Sequence, residues 1–225
     1  MKREVGIDEI SDGKLYGPDD LVKAGCNDCK DCSACCHDMG NSIILDPFDI
    51  YRLTTGLSMS FEELLQGKAE LQVDEGMILV NLKMKEEGSC CPFLNDEGRC
   101  SIHSLRPGLC RLFPLGRIYE EDGFRYFLQV NECLKTNRTK RKVRKWLDTP
   151  NLKRYEQFVM EWHELSARIK EKIAACNNQD TIKAINMSML QLFYIQPYGG
   201  EEDFYLQFEH RLADARNRLF AEGQE

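Results

Sequence analysis

Eleven cysteines against four histidines set the chemistry open to this 225-residue chain. The cysteines are unevenly spread. Cys26, Cys29, Cys32, Cys35 and Cys36 fall within eleven residues, Cys90, Cys91, Cys100, Cys110 and Cys133 form a looser second group, and Cys176 stands alone. A ligand supply rich in sulfur and poor in nitrogen favours thiolate sites for soft metals, zinc or iron. The run Cys26-x2-Cys29-x2-Cys32-x3-Cys36 has iron–sulfur ligand spacing, which admits a 4Fe-4S cluster, although His37 stands where a proline usually follows. Asn27, Asp28, Lys30, Asp31 and Ser33 surround these sulfurs, so inert core cysteine is the poorer reading. Cys35 and Cys36 are neighbours, their Cα atoms about 3.8 Å apart and their side chains divergent. Such a pair serves two nearby centres, or only one of the two ligates.

Composition narrows the setting. With 42% hydrophobic and 30% charged residues the chain reads as soluble and globular, and it is long enough to bury a core without disulfides. The first 25 residues contain no apolar stretch of signal-peptide type, and the longest nearly apolar segment, Met187 to Ile195, is too short to cross a bilayer. A cytoplasmic protein is therefore expected, without membrane association, in a reducing compartment where thiols stay free. The net charge of −7 makes nucleic acid an unlikely default partner. One segment runs against this charge. Lys135 to Lys145 holds seven basic residues in eleven, and it reads as a solvated helix face. No phosphate-binding glycine loop occurs. The C-x3-C-x2-C of radical chemistry is begun by Cys32 and Cys36 and broken by Met39.

The elements that must position the cysteines predict an α+β protein. Residues 1–17 read as a polar lead-in, residues 18–137 as a cysteine-rich metal-binding core of short helices and β-hairpins, and residues 138–225 as a C-terminal helical region. Pro18 followed by Asp-Asp-Leu-Val-Lys-Ala-Gly25 suggests a short helix. Asp46-Pro47 starts another that stops at Gly56, and Ser60-x2-Glu63 is a capping box for a third, closed by Gly67. Met77 to Met84 is strand-like. Turn residues Asn95 to Gly98 and Glu120 to Gly123 each mark a hairpin. Beyond Cys133, helices are expected from Thr149-Pro150 to about Ala175, over about 181–194 and over about 202–220. Phe158, Trp162, Leu165 and Ile169 form the packing stripe of the first.

Taken together, Cys29-x2-Cys32-x2-Cys35-Cys36, Cys91-Pro-Phe-Leu, Cys100-x-Ile and Arg106-Pro-x2-Cys110-Arg-x-Phe-Pro resemble the YkgJ-like cysteine-cluster family, also described as the CxxCxxCC zinc- or iron-chelating domain. The likeness covers about residues 26–135. It implies Cys29, Cys32, Cys35, Cys36, Cys91, Cys100, Cys110 and Cys133 as metal ligands, enough for two four-sulfur sites. Cys26 is a further candidate ligand, and Cys90 is a second cysteine outside the family pattern. His103 stands where the family often has tyrosine. Arg99, Arg106, Arg111 and Arg117 crowd the second cysteine group. Arg106 and Arg111, on either side of Cys110, are expected to offset thiolate charge, the alternative being an anion pocket. Some relatives are called Fe–S oxidoreductases, and a related group includes flagellin lysine N-methylases. The resemblance therefore implies a metal-binding protein whose alternatives are an Fe–S redox protein or a metal-dependent N-methylase-like enzyme.

Overall fold

A computed structural model of the chain describes residues 6–27, 29, 32–86, 89–199 and 202–220. The architecture is α+β, as the sequence predicts. The chain packs as two units, each discontinuous in sequence: Met1–Ile43 with Lys83–Glu156, and Ile44–Leu82 with Gln157–Glu225. A reading along the chain puts boundaries at 17 and 137, whereas the packing boundaries fall at 43, 82 and 156. Among the described residues no helix is long and apolar enough to cross a membrane.

The first unit opens with a helical turn, α1 (Ile7–Ile10), and β1 (Ser11–Tyr16). The segment expected to be a polar lead-in is thus structured from Ile7 onward, and residues 1–5 lie outside the described set. β1 pairs antiparallel with β6 (Gly123–Gln129), which also pairs with β5 (Leu115–Glu120) to give the order β1-β6-β5. The hairpin expected at Glu120 to Gly123 is the β5–β6 connection. Leu21–Gly25 is not the expected helix but a strand, β2, paired antiparallel with β7 (Thr139–Lys142). The reason is period two: Val22 and Ala24 are buried while Leu21 and Lys23 are exposed. A segment this short gains more from strand pairing than from an isolated helical turn. The basic run is corrected by the same pairing, because its centre is the exposed strand β7, and a short helix, α5 (Val143–Leu147), begins only afterwards. Val22, Ala24, Leu112, Leu115, Tyr126, Leu128, Val143 and Leu147 form the core, with Trp146 and Leu152 packed against it.

The second unit holds α2 (Pro47–Leu57), α3 (Phe61–Leu65), the hairpin β3 (Ala69–Asp74)–β4 (Met77–Leu82) and the later helices. Both expected helix starts are capping boxes, Asp46 with Asp49 and Ser60 with Glu63. α2 runs through Gly56 and ends instead at Ser58, in the left-handed conformation. β3 lies outside the strands that the sequence signals predict, although Ala69, Leu71 and Val73 alternate with polar residues. α4 (Gly108–Leu112) belongs to the first unit, within its second segment. The long helix α6 (Leu152–Ala174) leaves its first residues, to Glu156, in the first unit. From Gln157 onward it packs with α7 (Gln179–Leu190), a π-helical turn (Gln191–Ile195) and α8 (Phe204–Phe220). The expected stripe is core: Phe158, Leu165 and Ile169 are buried, and Trp162 meets the Phe193 ring at 5.0 Å. Asn186 clamps the β3–β4 turn, accepting from the Ile78 amide at 2.7 Å and donating to the Gly76 carbonyl at 2.9 Å.

Gly25 ends β2 directly before Cys26. A Cβ there would run into Thr139 Oγ1 and lie 3.1 Å from the Thr139 carbonyl oxygen, so the β2–β7 pair closes only over a glycine. Gly25→Ala is predicted to destabilise the protein by about 1–3 kcal/mol through overpacking. Gly67→Ala, where a Cβ meets nothing within 4 Å, should stay within about 0.5 kcal/mol of the parent. Urea unfolding of both variants beside the parent checks this, and equal midpoints would refute it.

Candidate metal centre

The first cysteine group hangs from the end of β2. Cys26 is buried immediately after Gly25, and the chain then turns through left-handed conformations at Asn27 (φ 53°) and Cys29 (φ 54°). Such angles are uncommon outside glycine and curl the backbone tightly. The turn brings Cys26 Sγ to 3.3 Å from Cys29 Sγ. The Cys32 amide donates to the Cys29 carbonyl at 3.0 Å, and a 3-10 turn over Ala34–Cys36 follows, closed by Cys36 N–H to the Ser33 carbonyl at 2.8 Å. Cys133 arrives from the far side, just after β6. Cys26, Cys29, Cys32, Cys35 and Cys133 all line one small cavity of ≈ 30 Å³, with Pro114, Glu132, Lys135 and Trp146 among its other walls.

The second cysteine group is held to the first by backbone. His37 pairs with Cys90, and the Cys91 amide donates to the Cys36 carbonyl at 2.7 Å. The hairpin expected at Asn95 to Gly98 is present as a tight turn with Leu94 bridged to Cys100. Arg99, at its end, donates from Nη1 to the Cys29 carbonyl at 2.8 Å, tying the two groups together. Cys36, Cys91 and Cys100 lie close enough to act on one another electrostatically, and Cys35 acts on both Cys29 and Cys100. The adjacent Cys35 and Cys36 therefore stand where the two groups meet.

Burial and thiol crowding dominate the electrostatics. Burial first, then the contact with Cys26, pushes the Cys29 thiol up, and the Arg106 charge works against it. Burial likewise raises Cys91 and Cys100. The Cys35–Cys36 pair splits: their mutual hydrogen bond holds Cys35 down and Cys36 up, with Arg106 also lowering Cys35. Cys29, Cys36, Cys91 and Cys100 thus favour the neutral thiol, while Cys35 is held down to about 6 and carries the charge of its pair.

The remaining sequence candidates are distributed as follows. Cys110 is half-buried on α4 and is not part of the cavity wall. Cys176 follows α6 in the second unit, its Sγ 3.6 Å from the Asn178 carbonyl. Arg106 faces Cys29, Cys35 and Cys100 electrostatically and donates from Nε to the His103 carbonyl at 3.1 Å. Arg111 is buried, donates to Thr149 Oγ1 at 2.7 Å and lies 5.3 Å from the Tyr155 ring. Arg117 takes the neighbouring position on that ring, donating to Tyr155 Oη at 3.2 Å. Glu132 in the cavity wall carries no sequence signal beyond its adjacency to Cys133, and Lys135 enters the wall as the first residue of the basic run.

The donor set suits a soft cation. Four sulfurs tetrahedral about zinc at roughly 2.3 Å are about 3.8 Å apart, and the Cys26–Cys29 separation is close to that at 3.3 Å. Among the described residues, no three Cys, His, Asp or Glu side chains already converge on one coordination point. Capture of an ion at these thiols requires their deprotonation and side-chain rotation about it.

The family model named CxxCxxCC, described as "Putative zinc- or iron-chelating domain", matches residues 28–177, more than half of the chain. No curated protein and no solved structure matches it.

Cys29, Cys36, Cys91 and Cys100 have raised thiol pKa values and hold their protons at neutral pH, so metal must displace them. Apparent metal affinity is predicted to climb as pH rises through neutrality and to fall on acidification, as read by chelator competition on either side of neutral pH. Metal-free protein should show the opposite trend. Groups raised in the folded state contribute stability below the ordinary thiol value of about 8.5, which is lost as alkali ionises the unfolded chain first. An affinity independent of pH would contradict this.

Proposed function

The chain belongs to the CxxCxxCC family, and on that premise we propose that it binds zinc or iron through thiolates of its first packing unit. The ligands are drawn from Cys26, Cys29, Cys32, Cys35 and Cys133 around the cavity and from Cys36, Cys91 and Cys100 beside it, with Cys110 as the remaining candidate. The observation that carries this reading is five cysteines on the wall of one cavity of ≈ 30 Å³. That space suits an ion, whereas pockets for organic ligands are about 300 Å³ or more.

Bound thiolate centres of this type supply either a closed structural site, with zinc, or electron transfer, with iron and sulfide. The chain's own groups act on the charge such a centre carries. Several thiolates around one divalent ion leave net negative charge, and the Arg106 guanidinium offsets it at Cys29, Cys35 and Cys100. Arg99 keeps the Cys29 loop against the second cysteine group through its bond to the Cys29 carbonyl. Arg111 is assigned a packing role between Thr149 and Tyr155. Reduced thiols are a condition of this function, which fits a cytoplasmic setting.

The test is metal analysis and a visible spectrum of protein purified without oxygen. Bound zinc in a colourless protein, or iron in a coloured one, supports the reading, and a protein free of both metals contradicts it. Cys32→Ser and Cys133→Ser are predicted to lose most bound metal, because a hydroxyl is a poor ligand for soft ions. Cys176→Ser should retain it all. Arg106→Gln should weaken retention about 10- to 100-fold in chelator competition, while Arg111→Gln should alter stability more than metal content.

A further inference from the structure

We propose that Cys26 and Cys29 are a modification site, a thiol pair that a hydroperoxide converts to a disulfide, withdrawing two sulfurs from the metal-binding set. The first observation is their separation of 3.3 Å, enforced by the left-handed turn at Asn27 and Cys29. A disulfide bond is about 2.0 Å, so closure asks for a movement of about 1.3 Å, within reach of side-chain rotation. The second is the cavity both residues face. At ≈ 30 Å³ it admits a molecule the size of water or hydrogen peroxide.

Geometry also selects this pair over the other close one. Cys35 and Cys36 share a hydrogen bond, yet they are adjacent in the chain. Their Cα atoms are about 3.8 Å apart across a trans peptide, short of the roughly 4.4–6.8 Å that a disulfide spans. Cys26 and Cys29, three positions apart on a tight turn, do not meet that obstacle.

The chemistry balances as follows. The thiolate of one cysteine attacks the hydroperoxide, its O–O bond breaks, and an alcohol (or water, from hydrogen peroxide) leaves with one proton. The attacking sulfur is now a sulfenic acid. The partner sulfur attacks it, the S–O bond breaks, and water leaves with the second thiol proton. Two thiols and one hydroperoxide give one disulfide, one alcohol and one water; both sulfurs are oxidised and the peroxide oxygen is reduced. A sulfur held in a disulfide has no thiolate to offer a metal.

The release of metal rests on the proposed binding function, whereas disulfide formation does not, and the experiment reads them separately. Protein as purified is treated with hydrogen peroxide, alkylated without reduction and digested with trypsin. Cleavage after Lys23 and Lys30 yields Ala24–Lys30, a peptide holding Cys26 and Cys29 and no other cysteine. The expected result is that this peptide appears two hydrogens lighter, unalkylated until reduced, with metal appearing in step in a coloured chelator. Cys26→Ser should abolish the lighter peptide, and Cys176→Ser should leave it unchanged. Finding the peptide alkylated at both sulfurs while other cysteines oxidise, or carrying sulfinic or sulfonic acid, overturns the pairing. A lighter peptide from protein that keeps its metal overturns the withdrawal of ligands. Protein with no metal at the outset refutes the binding function instead, while the peptide still reports on the pair.

Discussion

Everything near the cysteines follows from the cost of crowding thiols in a half-buried space. Burial disfavours the thiolate, and each neighbouring thiolate disfavours it further, which is why Cys29, Cys91 and Cys100 have raised pKa values, while Cys36 is raised first by its hydrogen bond with Cys35 and then by burial. A fold that gathers these groups gains little from them as neutral side chains, since sulfur packs no better than a methyl group of similar size. The gathering becomes favourable when a cation replaces the protons. The backbone accordingly fixes the cysteines from several directions: the end of β2, the 3-10 turn at Ala34–Cys36, the bridge from His37 to Cys90, and the exit of β6 at Cys133.

The supporting sheets serve that arrangement. β2 carries Cys26 at its end and is pinned to β7, so the first cysteine group depends on a strand more than a hundred residues further along the chain. Glycine at position 25 permits the close approach to Thr139, and Val22 and Ala24 anchor the strand in the same core as Leu128, the residue before the end of β6. Two arginines complete the setting. Arg99 ties the cysteine groups together by its bond to the Cys29 carbonyl, and both Arg99 and Arg106 place positive charge near Cys100.

How much of this was legible varied with the range of the interaction. Local signals are legible in the sequence: the capping boxes at Asp46 and Ser60, the turns at Asn95 and Glu120, the apolar stripe of α6. Features that depend on a distant partner are not. Leu21–Gly25 has a proline before it and a glycine at its end, as a helix would, yet its partner in β7 makes it a strand. The basic run looked like a solvated helix face because nothing local reveals that Thr139–Lys142 pairs with β2. The cysteine types and spacings announced metal chemistry and the family, since ligand spacing is a local property. Which cysteines share a cavity was not readable, because Cys133 reaches Cys26 through the β1–β6 and β2–β7 pairings. Cys26, outside the family pattern, turns out to share that wall. Of the two arginines beside Cys110 in sequence, Arg106 faces the thiols, whereas Arg111 carries a bond to Thr149 and a contact with Tyr155. Arg106 precedes Pro107 and lies outside α4, whereas Arg111 lies on the buried side of that helix.

The account stands or falls on sulfur as the ligand. X-ray absorption at the edge of whichever metal accompanies the protein reports the nearest atoms directly. The account predicts a first shell made wholly of sulfur, at about 2.3 Å if the metal is zinc. A shell dominated by nitrogen or oxygen at about 2.0–2.2 Å would contradict it.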